Sequence, residues 1–258
     1  MDEANAAGAL AIVKAPTATE SSFGRMFKCW KSDLLHASMR VHLRQALRLH
    51  RLARRFYEPV KINGRLYPGE RPSEDRWEAI AAILKSYSAN NVLDVGCAEG
   101  WFVRRAATEL GCYAVGVEVS ERLLGGEIAR LHDKVQNMAI MSSRASGESI
   151  RSLPKFDVVI CLSVVHHVIR HEGIRAAEAF VRALASRTEK ALIFEMGTSE
   201  EKGLKWRGLL EDMPAGQEAY VRQFLLTCGL RNVREITSSA AFHGNANRIM
   251  FACEPPST

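Results

Sequence analysis

Asn91-Val92-Leu93-Asp94-Val95-Gly96-Cys97-Ala98-Glu99-Gly100-Trp101 is the stretch that decides the fold. Its first half is a short apolar run interrupted by one acid, the pattern of a strand buried on both faces. Gly96 and Gly100 mark a turn, and helical spacing resumes at Trp101. A strand that enters a helix through glycines lets backbone approach a ligand closely, and the helix start offers unpaired N–H groups. Three residues separate the glycines, so the Gly-x-Gly-x-x-Gly dinucleotide fingerprint is absent. An acid such as Asp94 at such a turn either orders a ligand or satisfies backbone donors.

Working outward, the alternation continues downstream. Residues 92–95, 113–119, 156–162, 191–196 and 248–252 read as strands, separated by helical stretches near 101–110, 120–132, 172–186 and 216–228. Apolar strands between amphipathic helices predict an α/β fold: a Rossmann-like, mostly parallel sheet with helices on both faces. Upstream, Ser73 is placed to cap a helix running to about Tyr87, with Trp77, Ile80, Ala81 and Leu84 as its apolar stripe. Asn63-Gly64 and Tyr67-Pro68-Gly69-Glu70-Arg71-Pro72 form a turn-rich connector before it. From Lys31 to Tyr57 there is neither Pro nor Gly, which predicts a long helix ended by Pro59. Arg40, Arg44, Arg48, Arg51 and Arg55 fall within about 80° of its circumference, opposite Leu35, Met39, Leu43 and Leu49.

Charge follows the same division. The 258 residues hold 35 Lys and Arg against 29 Asp and Glu, a net of +6. Between Arg25 and Arg65 lie 11 bases and two acids, so that stretch carries +9 and the remainder −3. Three parts are expected: a mobile lead-in over 1–24, a basic amphipathic helical extension over 25–66, and a roughly neutral globular domain over 67–258. The basic face suits a solvated surface, an anionic membrane or a phosphorylated substrate. Nucleic acid suits it less, because no aromatics interleave with the arginines. The composition, 47% hydrophobic and 25% charged, excludes a disordered tail and a fibrous chain. Six cysteines without a Cys-x-x-Cys pair read as small buried hydrophobes of a reducing compartment. No apolar run reaches the ~18 residues of a spanning helix, and no signal-peptide core opens the chain, so a cytoplasmic protein, peripheral to the inner membrane face, is expected.

Glu118 closes the second strand, 24 residues after Asp94, where an acid in a nucleoside-binding α/β unit takes the ribose hydroxyls. A third strand ends in Cys161-Leu162-Ser163, followed by His166-His167. This succession resembles the class I S-adenosylmethionine-dependent methyltransferases, over about residues 67–253. Residues 92–100, 115–118 and 156–163 correspond to the family's first, second and fourth motifs. The resemblance implies S-adenosylmethionine as cofactor. Its methionine portion would lie along Gly96, Cys97, Ala98 and Gly100, with Asp94 ordering the ammonium. Glu118 would hold the ribose, and Val119, with Arg144 and Ala145, would lie near adenine. Leu162 and Ser163 would complete the wall, and Tyr67 and Arg71 would meet the carboxylate. A guanidinium fork suits that group.

Tyr67-Pro-Gly-Glu-Arg71 and the run from Leu162 to Ile169, with His171 and Gly173 following, also resemble the methyltransferase domain of bacterial O-antigen chain-terminating enzymes. That likeness implies methylation of a saccharide hydroxyl, on a lipid-linked glycan. An alcohol needs a base as the new bond forms, and a histidine of near-neutral pKa is suited to it. The resemblance favours His166 as base, with His167 supporting. The polar stretch after the fifth strand supplies Glu195, Trp206 and Arg207 as an acceptor wall. No spacing supports a metal site. The alternatives are another small-molecule or RNA methyltransferase, or a non-catalytic cofactor-binding regulator.

Overall fold

The computed structural model describes residues 56–62, 64–71, 73–120, 135–199, 201, 216–241 and 246–257. The lead-in, nearly all of the predicted basic helix and the predicted helix at 120–132 lie outside these residues. The chain enters through a small hairpin, β1 (Val60–Ile62) and β2 (Arg65–Tyr67), antiparallel with Ile62 opposite Arg65. Gly64, just before β2, takes φ +77°, the left-handed backbone that a tight hairpin turn demands. What reads from sequence as a connector is a paired element.

Helix α1 (Glu74–Ser86) follows. Ser73 stands at its N-cap position but makes no side-chain cap; its hydroxyl donates to the Arg71 carbonyl instead. Then come β3 (Asn91–Val95), α2 (Trp101–Glu109), β4 (Tyr113–Glu118) and β5 (Met138–Ser142). After the short α3 (Gly147–Arg151), β6 (Phe156–Leu162) leads into α4 (Val165–Glu172), α5 (Ile174–Arg187) and β7 (Thr188–Glu195). Helix α6 (Gly216–Thr227) and strands β8 (Arg231–Ala240) and β9 (Asn247–Glu254) complete the domain.

Seven strands form one sheet in the order β5-β4-β3-β6-β7-β9-β8. The first five run parallel; β9 is antiparallel to both β7 and β8. This is the Rossmann-like, mostly parallel sheet that the strand pattern predicts. Every residue of β6 is buried, which explains the unbroken apolar run from Val158 to Leu162. Alternate side chains divide the core. Val92, Ala114, Val158, Ile160 and Ile193 pack with Trp77, Ile80 and Leu84 of α1 and with Phe102, Val103 and Ala106 of α2. Helix α5 covers β6 and β7 and buries Phe180, Val181 and Leu184, each worth roughly 1.5–3 kcal/mol of transfer free energy.

Sequence reasoning missed β5, β8 and α4. Strand β8 is at the sheet edge, where exposed Arg231, Asn232, Arg234 and Glu235 erase the apolar alternation. Phe56 and Tyr57, expected at the end of the basic helix, are not helical: Phe56 bridges to Gly69 instead. Asp157 accepts the backbone N–H of Asn90 at 2.7 Å and pairs with Lys190 at 3.0 Å, a structural role at the base of β6. Cys97, Cys112, Cys161, Cys228 and Cys253 are free and buried.

Strand β3 has β4 on one side and β6 on the other, so the order reverses there. In such sheets the ligand crevice lies at the carboxyl ends of the strands flanking the reversal.

Candidate active site

A cavity of about 830 Å³ occupies that crevice, within the ~300–1,000 Å³ typical of ligand pockets. Of the residues singled out from sequence, Gly96, Ala98, Glu118, Val119, Arg144, Ala145, Leu162, Ser163, His166 and His167 line it. Asp94, Cys97, Gly100, Tyr67, Arg71 and Glu195 do not, and Trp206 and Arg207 lie outside the described residues.

The glycine turn builds the floor. Gly96, Ala98 and Gly100 all take left-handed backbone, with φ of +79°, +47° and +80°. The N–H groups of Gly96 and Cys97 both donate to the Val117 carbonyl, tying the turn to β4. A Cβ on Gly116 would stand 2.5 Å from Cys97 Sγ, so that position on β4 must lack a side chain for the turn to seat. Glu118 Oε2 accepts the Ala98 N–H at 3.0 Å, and Oε1 accepts the Ser120 N–H at 2.7 Å. This carboxylate thus joins the turn to the loop carrying Val119, whose side chain is 61% exposed along the cavity wall.

Asp94 is buried next to the floor residues Val95 and Gly96, and its Oδ2 has no hydrogen-bond partner. Burial pushes its carboxyl up to about 7, opposed by Arg76 and reinforced by Glu118. An unpartnered buried acceptor beside Gly96, where the turn carries no side chain, fits the ammonium end of a cofactor such as S-adenosylmethionine.

Behind the wall lies a charged network that only Arg71, Ser163 and Glu195 announce in the sequence. Glu195 accepts from Arg71 Nη2 and from the Ser163 hydroxyl, each at 2.7 Å, with Arg76 at 3.5 Å and Arg248 at 3.9 Å. Burial alone would raise its carboxyl, yet the three guanidiniums and the Ser163 hydroxyl hold it at about 2. Arg248 also grips Glu201 through two nitrogens, at 2.7 and 2.8 Å, and donates to Ser163 Oγ at 2.8 Å. Ser163 takes φ +64°, an uncommon backbone for a residue with a Cβ, and Arg71, Arg248 and Glu195 all converge on its hydroxyl.

Three placements differ from the sequence reading: Arg71, expected at the cofactor carboxylate, is instead buried on Glu195, Tyr57 and Ser163. Glu195, expected on the acceptor wall, is fully buried and spent on arginines, because a carboxylate at that depth must be paired. Tyr67 packs edge-on against Phe56; it is Tyr57, which the sequence reading passed over, whose hydroxyl meets Arg71 at 3.0 Å and which lines the cavity. Arg76, Arg248, Glu99 and Glu201 were also missed. Arg76 carried a usable signal: it shares the spacing of Ile80 and Ile83 and is buried with them.

The histidines come from the first turn of α4. His166 is buried, and its Nδ1 accepts the backbone N–H of Gly197 at 3.0 Å. Burial, then Arg248, His167 and Arg71, hold its pKa well below the usual imidazole value. His167 is exposed to the cavity, its ring 4.3 Å from that of His166, and is lowered by partial burial and by Arg248. Both rings are therefore neutral near pH 7. Arg144 and Glu172, both lining the cavity, pair at 2.7 Å in an exposed position worth little stability. Among the described residues no group of three or more His, Cys, Asp or Glu could hold a metal ion, and no helix is long and apolar enough to cross a membrane.

This fold and this crevice define a class, and sequence comparison agrees: residues 92–187 match the family model described as "Methyltransferase domain". The chain carries a methyltransferase domain of the S-adenosylmethionine-dependent kind. Among particular proteins, it is 32% identical over 113 residues to the O-antigen chain terminator bifunctional methyltransferase/kinase WbdD of Escherichia coli. That match spans 43% of this chain but 16% of WbdD. A crystal structure of WbdD superposes with a TM-score of 0.67 at 24% identity, covering 81% of this chain and 46% of that one. A ubiquinone biosynthesis O-methyltransferase of Methylococcus capsulatus is 29% identical over 143 residues, 55% of this chain and 57% of the relative. Magnesium protoporphyrin IX methyltransferase from Synechocystis PCC 6803, crystallised with bound SAH, superposes with a TM-score of 0.50 at 25% identity, over 69% of this chain and 82% of that one. The chain thus spans well under two thirds of the length of WbdD.

Proposed function

We propose that this protein transfers a methyl group from S-adenosylmethionine to a hydroxyl of a saccharide, on a lipid-linked glycan. The observation that carries the reading is the pair of neutral imidazoles, His166 and His167, in the same cavity as the glycine turn and Glu118. Residues 96–98 and 100 would cradle the methionine portion, Asp94 would face its ammonium, and Glu118 would take the ribose hydroxyls in place of backbone N–H groups. Val119, Arg144 and Ala145 would border adenine, with Leu162 and Ser163 between the two ends. Arg71 would act through Tyr57 and Ser163, which it holds, rather than by direct contact. When bound, the cofactor supplies an activated methyl group on a sulfonium.

The chain's own task is then to orient the acceptor and take its proton. His167 is the better base. The Gly197 N–H occupies the Nδ1 lone pair of His166, so a neutral His166 keeps its proton on Nε2 and can only donate. His167 would accept the hydroxyl proton while His166 orients. This exchanges the roles that the family resemblance favours. Residues 25–65, with their +9 charge, would hold the protein against an anionic membrane surface where a lipid-linked acceptor resides. Trp206 and Arg207 remain proposed acceptor contacts.

Similarity to ubiquinone biosynthesis O-methyltransferases supports a second reading, a phenolic hydroxyl of a small lipid-soluble acceptor. Radiolabelled methyl transfer into cell material fractionated into polysaccharide, lipid, RNA and small molecules separates the two. Label in polysaccharide supports the glycan; label confined to small lipid-soluble phenols supports the alternative. Glu118→Ala should abolish labelling of either and weaken S-adenosylhomocysteine binding by about tenfold or more. Replacing Arg44, Arg48 and Arg51 by Gln should weaken binding to anionic liposomes, and unchanged binding rejects the membrane contact.

A further inference from the structure

We infer that Glu99, within the glycine turn, is a positioning residue that fastens the strap around Tyr57 as a second wall of the cofactor cavity. The inference rests on the cofactor reading above and adds the device that assembles the site. Glu99 Oε1 accepts the backbone N–H of Tyr57 at 2.8 Å, and Oε2 accepts that of Glu58 at 3.0 Å. The carboxylate is buried and its partners lie 42 and 41 residues away in sequence. Each of its oxygens therefore holds one donor of a segment that belongs to no helix and to neither strand of the hairpin.

The strap is held from its other side by the chain that returns from the hairpin. The N–H groups of Glu70 and Arg71 donate to the carbonyls of Phe56 and Tyr57 at 2.8 and 3.0 Å. A Cβ at Gly69 would collide with the backbone of Glu58 and Pro59, so only glycine permits this approach. Tyr57 is thereby placed with its hydroxyl on Arg71 and its side chain on the cavity. Adjacent residues of the turn thus serve two walls: Ala98 is bound to Glu118, and Glu99 is bound to Tyr57 and Glu58. Nothing in the chemistry of methyl transfer requires a carboxylate at position 99. Two convergent main-chain donors do require one.

Glu99→Gln tests this, because it keeps the shape but replaces one acceptor oxygen by an NH₂ that faces an N–H. Titration calorimetry of the full chain with S-adenosylhomocysteine should give a Kd raised about tenfold or more. Tyr57→Ala should weaken binding to a similar degree. Combining the two should add less than about twofold, since both remove the same wall. A folded Glu99→Gln chain with wild-type Kd, or effects that multiply in the double variant, overturns the inference. Wild-type protein that fails to bind S-adenosylhomocysteine overturns the cofactor reading itself, which is a distinguishable result. If Glu99→Gln does not fold, amide exchange of the wild type decides: exchange at residues 57 and 58 should slow about tenfold on ligand addition, and unchanged exchange there overturns the inference.

Discussion

The Nδ1 atom of His166 accepts the N–H of Gly197, 31 residues away, at 3.0 Å, locking the ring's orientation and its tautomer together. The neighbouring His167 is on the exposed side of the same helical turn and faces the cavity. Two adjacent residues of identical chemistry thus stand in different surroundings, one ring buried on a backbone N–H and the other open to the cavity.

His167→Ala should lower kcat by about 10²–10⁴, as expected for loss of a general base, with the Kd of S-adenosylhomocysteine nearly unchanged. In the wild type kcat should fall only on the acid side, with a midpoint below the ordinary imidazole value of 6.5, because burial and Arg248 favour the neutral ring. His166→Ala should instead reduce stability by about 1–3 kcal/mol, since it strands a buried N–H at Gly197. Steady-state kinetics and thermal melts of both variants check the division. Wild-type turnover in His167→Ala removes that residue from the mechanism.

The buried Glu195 cluster should set the acid limit of folding. Its carboxyl is at about 2 in the folded chain against 4.5 unperturbed. That stabilisation, about 3 kcal/mol, is present above pH 4.5 and is lost as the pH falls towards 2. Urea melts between pH 3 and 7 should show the loss in wild type and not in Glu195→Gln. The variant should be about 3–5 kcal/mol less stable at pH 7, because it leaves arginines buried without their partner. A Glu195→Gln chain as stable as wild type at pH 7 contradicts the pairing.

Glu58 behaves in the opposite sense. Burial raises its carboxyl from 4.5 to about 8, against the attraction of Arg76 and with repulsion from Asp94 and Glu99. The folded state holds this proton more tightly than the unfolded chain, so stability declines as pH rises from about 4.5 to 8. Glu58→Gln cannot lose a proton, and its stability should vary less over that interval. Parallel curves for the two proteins would show that Glu58 is not the group responsible.

Gly116→Ala should strike the cofactor turn from behind. The new Cβ meets Cys97 Sγ at 2.5 Å in a packed interior, and relief requires the turn to shift. A loss of about 1–3 kcal/mol in stability is expected, with weaker S-adenosylhomocysteine binding, both measurable by melting with and without ligand. Cys97→Ala in the same chain should restore part of each, since it removes the atom that is struck.

The α/β order, the glycine turn and the histidine-bearing strand end were legible because their signals are local. The strand from Asn91 to Val95 reads as buried because its own side chains alternate across a covered sheet, and Gly96 and Gly100 declare a turn by what they lack. The same locality explains the failures. Strand β8 packs few of its side chains and left no apolar pattern to read, and Tyr57 looked like the end of a helix while its backbone was destined for Glu99. The sequence by itself thus determined which residues could form strands, turns and helices, since those preferences act over a few bonds. Only the tertiary structure decided that Glu195 belongs to Arg71, that Tyr57 rather than Tyr67 reaches the cavity, and that His167 is left facing it. Arg71 and Glu195 are 124 residues apart, and charges are assigned to one another only when folding removes the water that would otherwise satisfy each alone.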